Sequence, residues 1–458
     1  MFSTTGAVHD LKCPCRCIES IKIPAKYRDN NKHWFLVGTQ QVLTENQKQN
    51  NHEAKSGFEL LEYSEDSNAI IQIPVTSNDD SGTPDTRAEI WSMSAHPANP
   101  NLVFVICSYP LGESGAKRYA KLCRFKFTNP NQINEDQVDV DEASSDTDQS
   151  WACSVEVVKT LNIDESIHSG VKEVIWCPIE EDNSTYTYDN PADALEDTDD
   201  VDIDGKAFDF DTGSTDSFRG SSSVVTIHDK AILRWDLEKD DYNGSCSFVA
   251  NKLSNTVHCS FMGASWDPHR ISEIAVGYGQ AVEVYDIQGT SGVPIRSIPF
   301  ADRVRVRQVD HNPNKPFYVA TAGDDRTVKF WDIRHNESPV KILSGHSHWV
   351  DQVKYNKSHD QLVISAGTDT LVSLWRVSSI SSAPLLDFLA EDDGTNQVVP
   401  SKESDNNDAL IKSTDDHFDS VYSIVWSCND AWIYASVSYD GRVCVNHVPS
   451  AEKYKILL

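Results

Sequence analysis

The chain contains one pattern twice: VRQVDHNPNKPFYVATAGDDRTVKFWDIR, Val306 to Arg334, and VDQVKYNKSHDQLVISAGTDTLVSLWRV, Val350 to Val377. Each copy has an alternating apolar run, a polar turn, a second run that ends in a small residue, an acidic turn and a third run closed by Trp. Alternation of apolar and polar residues predicts half-buried β-strands. Trp331 and Trp375 stand 44 residues apart, so the two stretches are copies of one repeating unit.

A repeat of about 44 residues with several short strands and a terminal Trp-Asp, here Trp331-Asp332, is typical of a WD40 propeller blade. Two columns of the repeat recur outside the central pair. The first-strand column holds Trp176, Trp266, His311, Tyr355 and Trp426. The third-strand column holds Trp235, Tyr285, Trp331, Trp375 and Asn446. Together with strands near FLVGTQ (Phe35–Gln40) and a blade around Trp91, the columns predict an all-β, seven-bladed WD40 β-propeller.

The domain organisation follows from the same period. We assign residues 1–30 to an N-terminal segment that is partly a strand of the first blade, and residues 31–458 to the propeller. Two segments are candidates for the strand that completes the last blade: KYKILL at the C-terminus and an N-terminal strand. Acidic, Ser/Thr/Asp-rich stretches interrupt the period, and their low apolar content predicts long disordered insertions. These insertions are 131–150, 180–223 and 390–416.

The composition limits the classes of partner and compartment. The formal net charge is −30, from 70 acidic and 40 basic residues, which disfavours nucleic acid and anionic membranes as partners. No apolar run is long enough to span a bilayer, and we identify no signal peptide. The 11 scattered cysteines then indicate reduced thiols in the cytosol or nucleus. The cluster Cys13/Cys15/Cys17 is interpreted as a β-strand with alternating Cys, ahead of an acylation site.

One set of residues resembles a catalytic triad. WD40 blades can hold a buried network of His, Ser or Thr, Asp and Trp, and one blade supplies the tetrad His346, Ser365, Asp369 and Trp375. These residues match repeat columns and no nucleophile elbow surrounds the serine, so a structural role is favoured over a hydrolase. No phosphate-binding, dinucleotide, metalloprotease or hydrolase motif occurs. We therefore expect a non-enzymatic protein with no metal site and no cofactor.

Other residues are candidates for contacts with proteins. Trp349 in GHSHW, together with Arg305, Arg307 and Arg326, is expected at one rim of the propeller, because Trp and Arg anchor many interfaces. Partial packing of Trp349 between blades is the favoured alternative. Arg334 ends WDIR, which matches the WDxR ending of substrate receptors of cullin-RING ubiquitin ligases, and it is expected at the blade bottom. A WD repeat that is merely followed by Arg is the favoured interpretation of this motif.

The chain as a whole resembles the EARP- and GARP-interacting WD40 protein family. The stretches that support this resemblance include EIWSMSAHP, DSVYSIVWS, ASVSYDGRVCVNHVP and the ending KYKILL. The resemblance implies a scaffold that binds subunits of the EARP and GARP tethering complexes. It also implies roles in endosomal recycling, retrograde transport to the trans-Golgi network and dense-core vesicle maturation. The expected location is cytoplasmic and peripheral at the trans-Golgi network and endosomes, with no direct membrane insertion and a monomeric protein.

Two alternatives remain beside this interpretation. The first is a substrate receptor that binds a cullin-RING ligase adaptor through Arg334. The second is a histone-binding WD40 protein, since an acidic chain suits basic partners, although much of the acid lies in the insertions.

Overall fold

The protein is a ring of seven β-sheets in a computed structural model, as the repeat predicts. The structure describes residues 6–23, 29, 31–40, 57–77, 88–109, 117–128, 151–163, 170–178, 223–237, 244–252, 259–289, 292–383 and 408–457. The first strand of each sheet contacts the first strands of the two neighbouring sheets, so seven inner strands surround a central channel.

The strands fall into seven blades, and in blades 1 to 6 four consecutive strands run from the inner to the outer edge. Blade 1 holds β2 (Cys15–Ile21), β3 (Lys32–Thr39), β4 (Phe58–Ser64) and β5 (Ala69–Ile73). Blade 2 holds β7 (Glu89–Ala95), β8 (Leu102–Tyr109), β9 (Lys117–Thr128) and β10 (Ala152–Thr160), with β6 (Val75–Ser77) added parallel to β10. Blade 3 holds β11 (Val171–Trp176), β12 (Ser223–His228), β13 (Ala231–Leu237) and β14 (Gly244–Asn251).

Blades 4 to 7 form the second half of the ring, and blades 5 and 6 contain the two copies of the repeat. Blade 4 holds β15 (Phe261–Trp266), β16 (Glu273–Tyr278), β17 (Ala281–Asp286) and β18 (Arg296–Ile298). Blade 5 holds β19 (Val306–His311), β20 (Tyr318–Gly323), β21 (Thr327–Asp332) and β22 (Lys341–Ser344). Blade 6 holds β23 (Val350–Tyr355), β24 (Leu362–Gly367), β25 (Val372–Val377), a short 3₁₀ turn (Ser378–Ile380) and β26 (Asp408–Thr414). Blade 7 holds β27 (Val421–Trp426), β28 (Ile433–Ser438) and β29 (Arg442–His447).

An N-terminal strand closes the ring. Strand β1 (Ala7–Asp10) pairs antiparallel with β29 as the fourth strand of blade 7, from Ala7 opposite Val445 to Asp10 opposite Arg442. The KYKILL segment is not that strand, because residues Ser450–Leu457 form the helix α1. Helix α1 instead sends Glu452 to an ion pair with Arg376 of β25.

Within residues 1–30, β2 belongs to the first blade, as predicted for part of that segment, and β1 belongs to blade 7. Two insertion boundaries differ from the prediction. Residues Asp408–Thr414, expected in an insertion, form the outer strand of blade 6 because they pair with Val372–Val377. Ser223 likewise begins β12. The insertion predicted at 131–150, and most of those at 180–223 and 390–416, lie outside the described residues.

The core consists of seven separate apolar clusters, and each fills the space between two adjacent blades. The second strands β20 and β24 are almost wholly buried, since they are covered by a blade on either side. Such strands are expected to be continuous apolar and small-residue runs, as YVATAG and LVISAG are. Each blade interface therefore depends on both neighbours, and ring closure by β1 completes the seventh interface, which contains Ala7 and Val445.

The cysteine cluster is part of the fold. Cys15 and Cys17 lie on β2 with their side chains buried, and Cys13 is half-buried just before it. All 11 cysteines lie in the described part of the chain, and none of them forms a disulfide bond. Burial raises the pKa of the Cys17 thiol well above its ordinary value. A neutral, buried thiol is a poor nucleophile, which agrees with the strand interpretation of the cluster.

Candidate protein-interaction surface

The ring has two faces, which we name by the direction of the inner strands. The upper face is where the first strand of each blade begins, and the lower face is where it ends. Because neighbouring strands are antiparallel, the turns between second and third strands also lie on the upper face. The turns between first and second strands, and between third and fourth strands, lie on the lower face.

Four of the candidate contact residues lie on the upper face. Arg305 precedes β19, Arg307 lies near its start, and Trp349 precedes β23. Arg326 is exposed in the turn between β20 and β21, where its φ of 69° places it in the left-handed region. Arg334 follows the end of β21 and therefore lies on the lower face. The candidates thus form two groups at opposite ends of the ring.

Arg307 and Trp349 form one unit. The Arg307 guanidinium lies 4.5 Å from the centre of the Trp349 ring, and its Nη1 donates to Asp351 Oδ1 at 2.6 Å. Its Nε donates to Asp324. Trp349 is 42% exposed, and besides the guanidinium its ring contacts the ring of His348, with 4.8 Å between the ring centres. Two carboxylates hold the arginine in place, which leaves a rigid aromatic surface.

Arg334 is held on the lower face by its own blade. Its Nε and Nη2 donate to the two oxygens of Asp332 at 2.9 and 2.6 Å, and its guanidinium lies 4.7 Å from the Phe317 ring centre. Arg270 stacks on the same ring at 3.7 Å. Phe317 has a φ of 69°, a conformation that is costly for a bulky residue. The Arg334 side chain remains 49% exposed.

The tetrad residues form one hydrogen-bonded chain inside blade 6. Trp375 Nε1 donates to Ser365 Oγ at 2.8 Å, and Ser365 Oγ lies 2.8 Å from His346 Nε2. His346 Nδ1 lies 3.1 Å from both oxygens of Asp369. The hydroxyl hydrogen then points to Nε2, and Nδ1–H donates to the carboxylate. Because Ser365 is fully buried and already hydrogen-bonded, it is not presented to a substrate.

Blade 7 has a related network without the tryptophan. His417 Nδ1 and Nε2 lie 2.8 and 2.7 Å from the hydroxyl oxygens of Ser438 and Ser436. Ser438 Oγ also donates to Asp440. A second serine therefore joins the network in the blade where Asn446 replaces Trp. In blade 5, Asp302 occupies the His position, and its Oδ1 accepts from the backbone N–H groups of Val304 and Arg305.

Charged residues also line the inner strands. Lys354 lies near three carboxylates from other blades, those of Asp310, Glu173 and Glu19. Burial alone lowers the pKa of the Lys354 ammonium, but the three acids together raise it above its ordinary value. Burial raises the pKa of Glu19 to about 7, against the opposing effect of Lys357 and Lys354. A cavity of about 370 Å³ opens beside Glu19 at the lower face.

A feature of the inner strands that sequence reasoning missed lies at the upper mouth of the channel. All seven inner strands carry a β-bulge near their start, where one additional residue interrupts the pairing register. Bulges redirect a side chain and recur beside functional sites. The bulged positions hold Arg16, Trp91, Lys172, Met262-Gly263, Arg307, Asp351 and Tyr422.

Comparisons with known proteins identify the family. A family model described as EIPR1 beta-propeller matches residues 218–375, and one described as WD domain, G-beta repeat matches residues 409–445. The chain is 31% identical over 429 residues to EARP and GARP complex-interacting protein 1 of Homo sapiens, which covers 93% of this chain and 92% of that protein. The chain belongs to the EARP and GARP complex-interacting protein 1 family.

Further members of the EARP and GARP complex-interacting protein 1 family match over the same extent. The protein of that name from Macaca fascicularis is 31% identical over 429 residues, with 93% of this chain and 92% of that protein covered. EARP-interacting protein homolog of Gekko japonicus is 31% identical over 430 residues, with the same two shares covered. Family membership and the seven-bladed ring together indicate a WD40 scaffold.

Among the residues that the structure describes, no helix is long and apolar enough to cross a membrane. Within the same part of the chain, no group of three or more His, Cys, Asp or Glu side chains is arranged to hold a metal ion.

Proposed function

We propose that this chain is a non-enzymatic scaffold that binds subunits of the EARP and GARP tethering complexes. The observation that supports the proposal most directly is the 31% identity to EARP and GARP complex-interacting protein 1 over 93% of the chain. An alignment of this length includes residues of all seven blades and of both faces. The proposal therefore concerns the whole ring rather than one shared repeat.

The proposal extends to the cellular process. The protein would support endosomal recycling, retrograde transport to the trans-Golgi network and dense-core vesicle maturation. It would act in the cytoplasm, peripherally at the trans-Golgi network and endosomes, and the tethering complexes would hold it there. The rigid, closed ring supports this role, since a propeller offers two broad faces to partners without changing its own shape.

Affinity purification tests the proposal. The tagged full-length chain is expressed in cells, and the proteins that co-purify are identified by mass spectrometry. We expect the subunits shared by EARP and GARP to be enriched over a tagged control propeller. Recovery of histones without tethering subunits would overturn the proposal in favour of the histone-binding alternative. Imaging of the same tagged chain should show overlap with endosomal and trans-Golgi markers, and a purely nuclear signal would contradict the proposed location.

A second candidate function rests on the geometry of Arg334. Its guanidinium is fixed by Asp332 and Phe317, yet half of the side chain is open on the lower face, as a contact residue for an adaptor must be. We propose that it binds a cullin-RING ligase adaptor. The variant Arg334→Ala should lose the adaptor and keep the tethering subunits in the same purification. Equal recovery of the adaptor by both chains, or its absence from both, contradicts this second function.

A further inference from the structure

The upper mouth of the channel holds two arginines on one indole. The guanidinium carbon of Arg118 lies 3.5 Å from the centre of the Trp91 ring, and that of Arg16 lies 4.3 Å from it. Arg16 and Trp91 are the bulged residues on the inner strands of blades 1 and 2. Arg118 lies near the start of β9, the third strand of blade 2. Like charges repel at this range, so two cations on one ring need compensation from acidic groups.

That compensation is incomplete. Glu89 pairs with Arg16 at 3.1 Å, and Asp229 pairs with Lys172, the bulged residue of blade 3, at 2.5 Å. Among the described residues, no carboxylate forms an ion pair with Arg118 or with Arg305, which precedes β19 at the upper face and whose charge acts on Lys172. We call Arg16, Trp91, Arg118, Lys172 and Arg305 the upper mouth cluster. Two of its four cations, Arg16 and Lys172, form ion pairs, which leaves the guanidiniums of Arg118 and Arg305 without an ion pair among the described residues.

The pKa values of two members of the cluster are lowered mainly by burial, and the neighbouring cations add a smaller effect. Burial lowers the pKa of the Arg118 guanidinium, and the charge of Arg16 acts in the same direction. Burial also lowers the pKa of the Lys172 ammonium, and the charges of Arg305 and Arg118 add to that effect. Asp229 opposes the shift in both groups. An anion placed among these cations would therefore be attracted by all four.

The acidic insertions do not meet the ring at this face. The segments 129–150, 179–222 and 384–407 contain 27 of the 70 acidic residues and 3 of the 40 basic residues of the chain. The described strands that precede them are β9, β11 and β25, and each ends at the lower face. The large negative charge of the chain is thus concentrated in segments attached to the other face.

Aromatic side chains extend the cluster toward blade 7. Tyr422, the bulged residue of that blade, packs edge-on against Tyr439 with 6.0 Å between ring centres. The guanidinium of Arg16 lies 5.3 and 5.4 Å from these two rings. Arg, Trp and Tyr are the residues that most often dominate the binding energy of an interface. The mouth therefore combines unbalanced positive charge with a rigid aromatic surface.

We infer that the upper mouth cluster is the docking site for an extended acidic segment of a protein partner. Carboxylates of the segment would pair with Arg118 and Arg305, and its apolar side chains would pack on Trp91 and Tyr422. A nucleic acid fits less well, because it carries a charge at every phosphate and would be repelled by the net charge of −30 more strongly than a short segment that mixes acidic and apolar residues. The inference rests on the proposed function in one respect: it expects this segment in a subunit of the EARP complex.

Binding of purified EARP complex to the immobilised full-length chain tests the inference. Arg118→Ala with Arg305→Ala should weaken binding about tenfold or more, because two charge pairs are lost. Arg118→Lys with Arg305→Lys keeps the charges and should retain most of the affinity. The matched control, Arg124→Ala with Arg234→Ala, removes two arginines that pair with Glu156 and Asp236, and it should bind like the parent chain. Equal binding by the alanine pair and the parent chain overturns the inference.

A peptide assay separates failure of the site from failure of the proposed function. The probe is a fluorescent peptide with repeats of Glu-Asp-Phe, and the comparison peptide has Lys in place of Glu and Asp. We expect the acidic peptide alone to bind, with an affinity that falls as ionic strength rises from about 50 to about 300 mM. The site is refuted if the two peptides bind alike, or if a single-stranded oligonucleotide displaces EARP and the acidic peptide does not. Absence of EARP binding together with specific peptide binding would refute the proposed partner and retain the site.

Discussion

Replacement of His346 by alanine is the sharpest test of how a blade is held together. The side chains of His346 and Asp369 are 1% and 2% exposed, so bulk water cannot replace a hydrogen-bond partner that either group loses. The variant removes the contact to Ser365 Oγ and the paired contact to both Asp369 oxygens. The carboxylate keeps the backbone N–H groups of Ser347 and Leu371 as donors, at 2.8 and 3.3 Å.

The magnitude follows from these contacts. A neutral hydrogen bond contributes about 1 kcal/mol net, and one to a charged group about 1.5 to 3 kcal/mol. The free energy of unfolding should therefore fall by about 3 kcal/mol. In a domain of this size each kcal/mol shifts the melting temperature by about 2 °C, so the expected fall is roughly 6 °C.

Thermal unfolding followed by tryptophan fluorescence measures the effect. His348→Ala is the matched control, since His348 is exposed on the same loop, and it should change the free energy of unfolding by less than about 0.5 kcal/mol. If His346→Ala melts at the temperature of the parent chain, the hydrogen-bonded chain does not stabilise the blade and the reasoning is refuted.

Acid provides an independent check on the same network. Burial alone raises the pKa of the Asp369 carboxyl, but the hydrogen bonds from His346, Ser347 and Leu371 hold it below its ordinary value. A carboxyl with a lowered folded-state pKa stabilises the protein above its unfolded pKa, and this contribution is lost as pH falls through the folded pKa. The difference in stability between the parent chain and His346→Ala should therefore narrow below about pH 4.

Three further predictions concern the channel, the closure and an insertion. Glu19→Gln should raise the urea midpoint of unfolding at pH 8 but not at pH 4. The pKa of Glu19 is about 7 in the folded protein, so its ionised form destabilises the fold only above the pKa that Glu19 has in the unfolded chain. An equal gain at both pH values contradicts this. Deletion of residues 1–10 removes β1 and exposes the outer edge of β29, so the melting temperature should fall and aggregation should increase. An unchanged melting temperature in calorimetry would show that β1 does not close the ring. Deletion of Asp182–Asp216 should leave the circular dichroism spectrum and the cooperative melt intact, and a loss of cooperativity would show that the segment is structural.

Much of the fold could be predicted because blade positions are repeated. Trp331 and Trp375 end equivalent strands, and the interval between them identifies the unit without any knowledge of contacts. The strand β26 could not be predicted in the same way. The residues that precede it resemble an insertion, and its own residues are largely polar and only partly buried. Its assignment depends on pairing with β25, which is a tertiary contact.

The candidate site was predicted only in part, for a related reason. Arg307 and Trp349 belong to the repeat that the sequence displays most clearly, and the structure brings them into contact. The bulged column was missed because its members share a position and not a residue type, from Arg16 to Asp351 and Tyr422. The available signal was the residue after the first apolar position of each inner strand, as in VRQ, VDQ and VYS.

The sequence by itself determined the blade, the number of blades and the residues of the tetrad. These properties are periodic, and alternation within a strand and spacing between strands are local consequences of backbone geometry. The tertiary structure decided which strand closes the ring, because β1 has four residues and its partner β29 lies at the other end of the chain. It also decided which charges act on one another, since Arg118 of blade 2 and Arg305 of blade 5 both act on Lys172 of blade 3 only because the closed ring brings these blades around one channel.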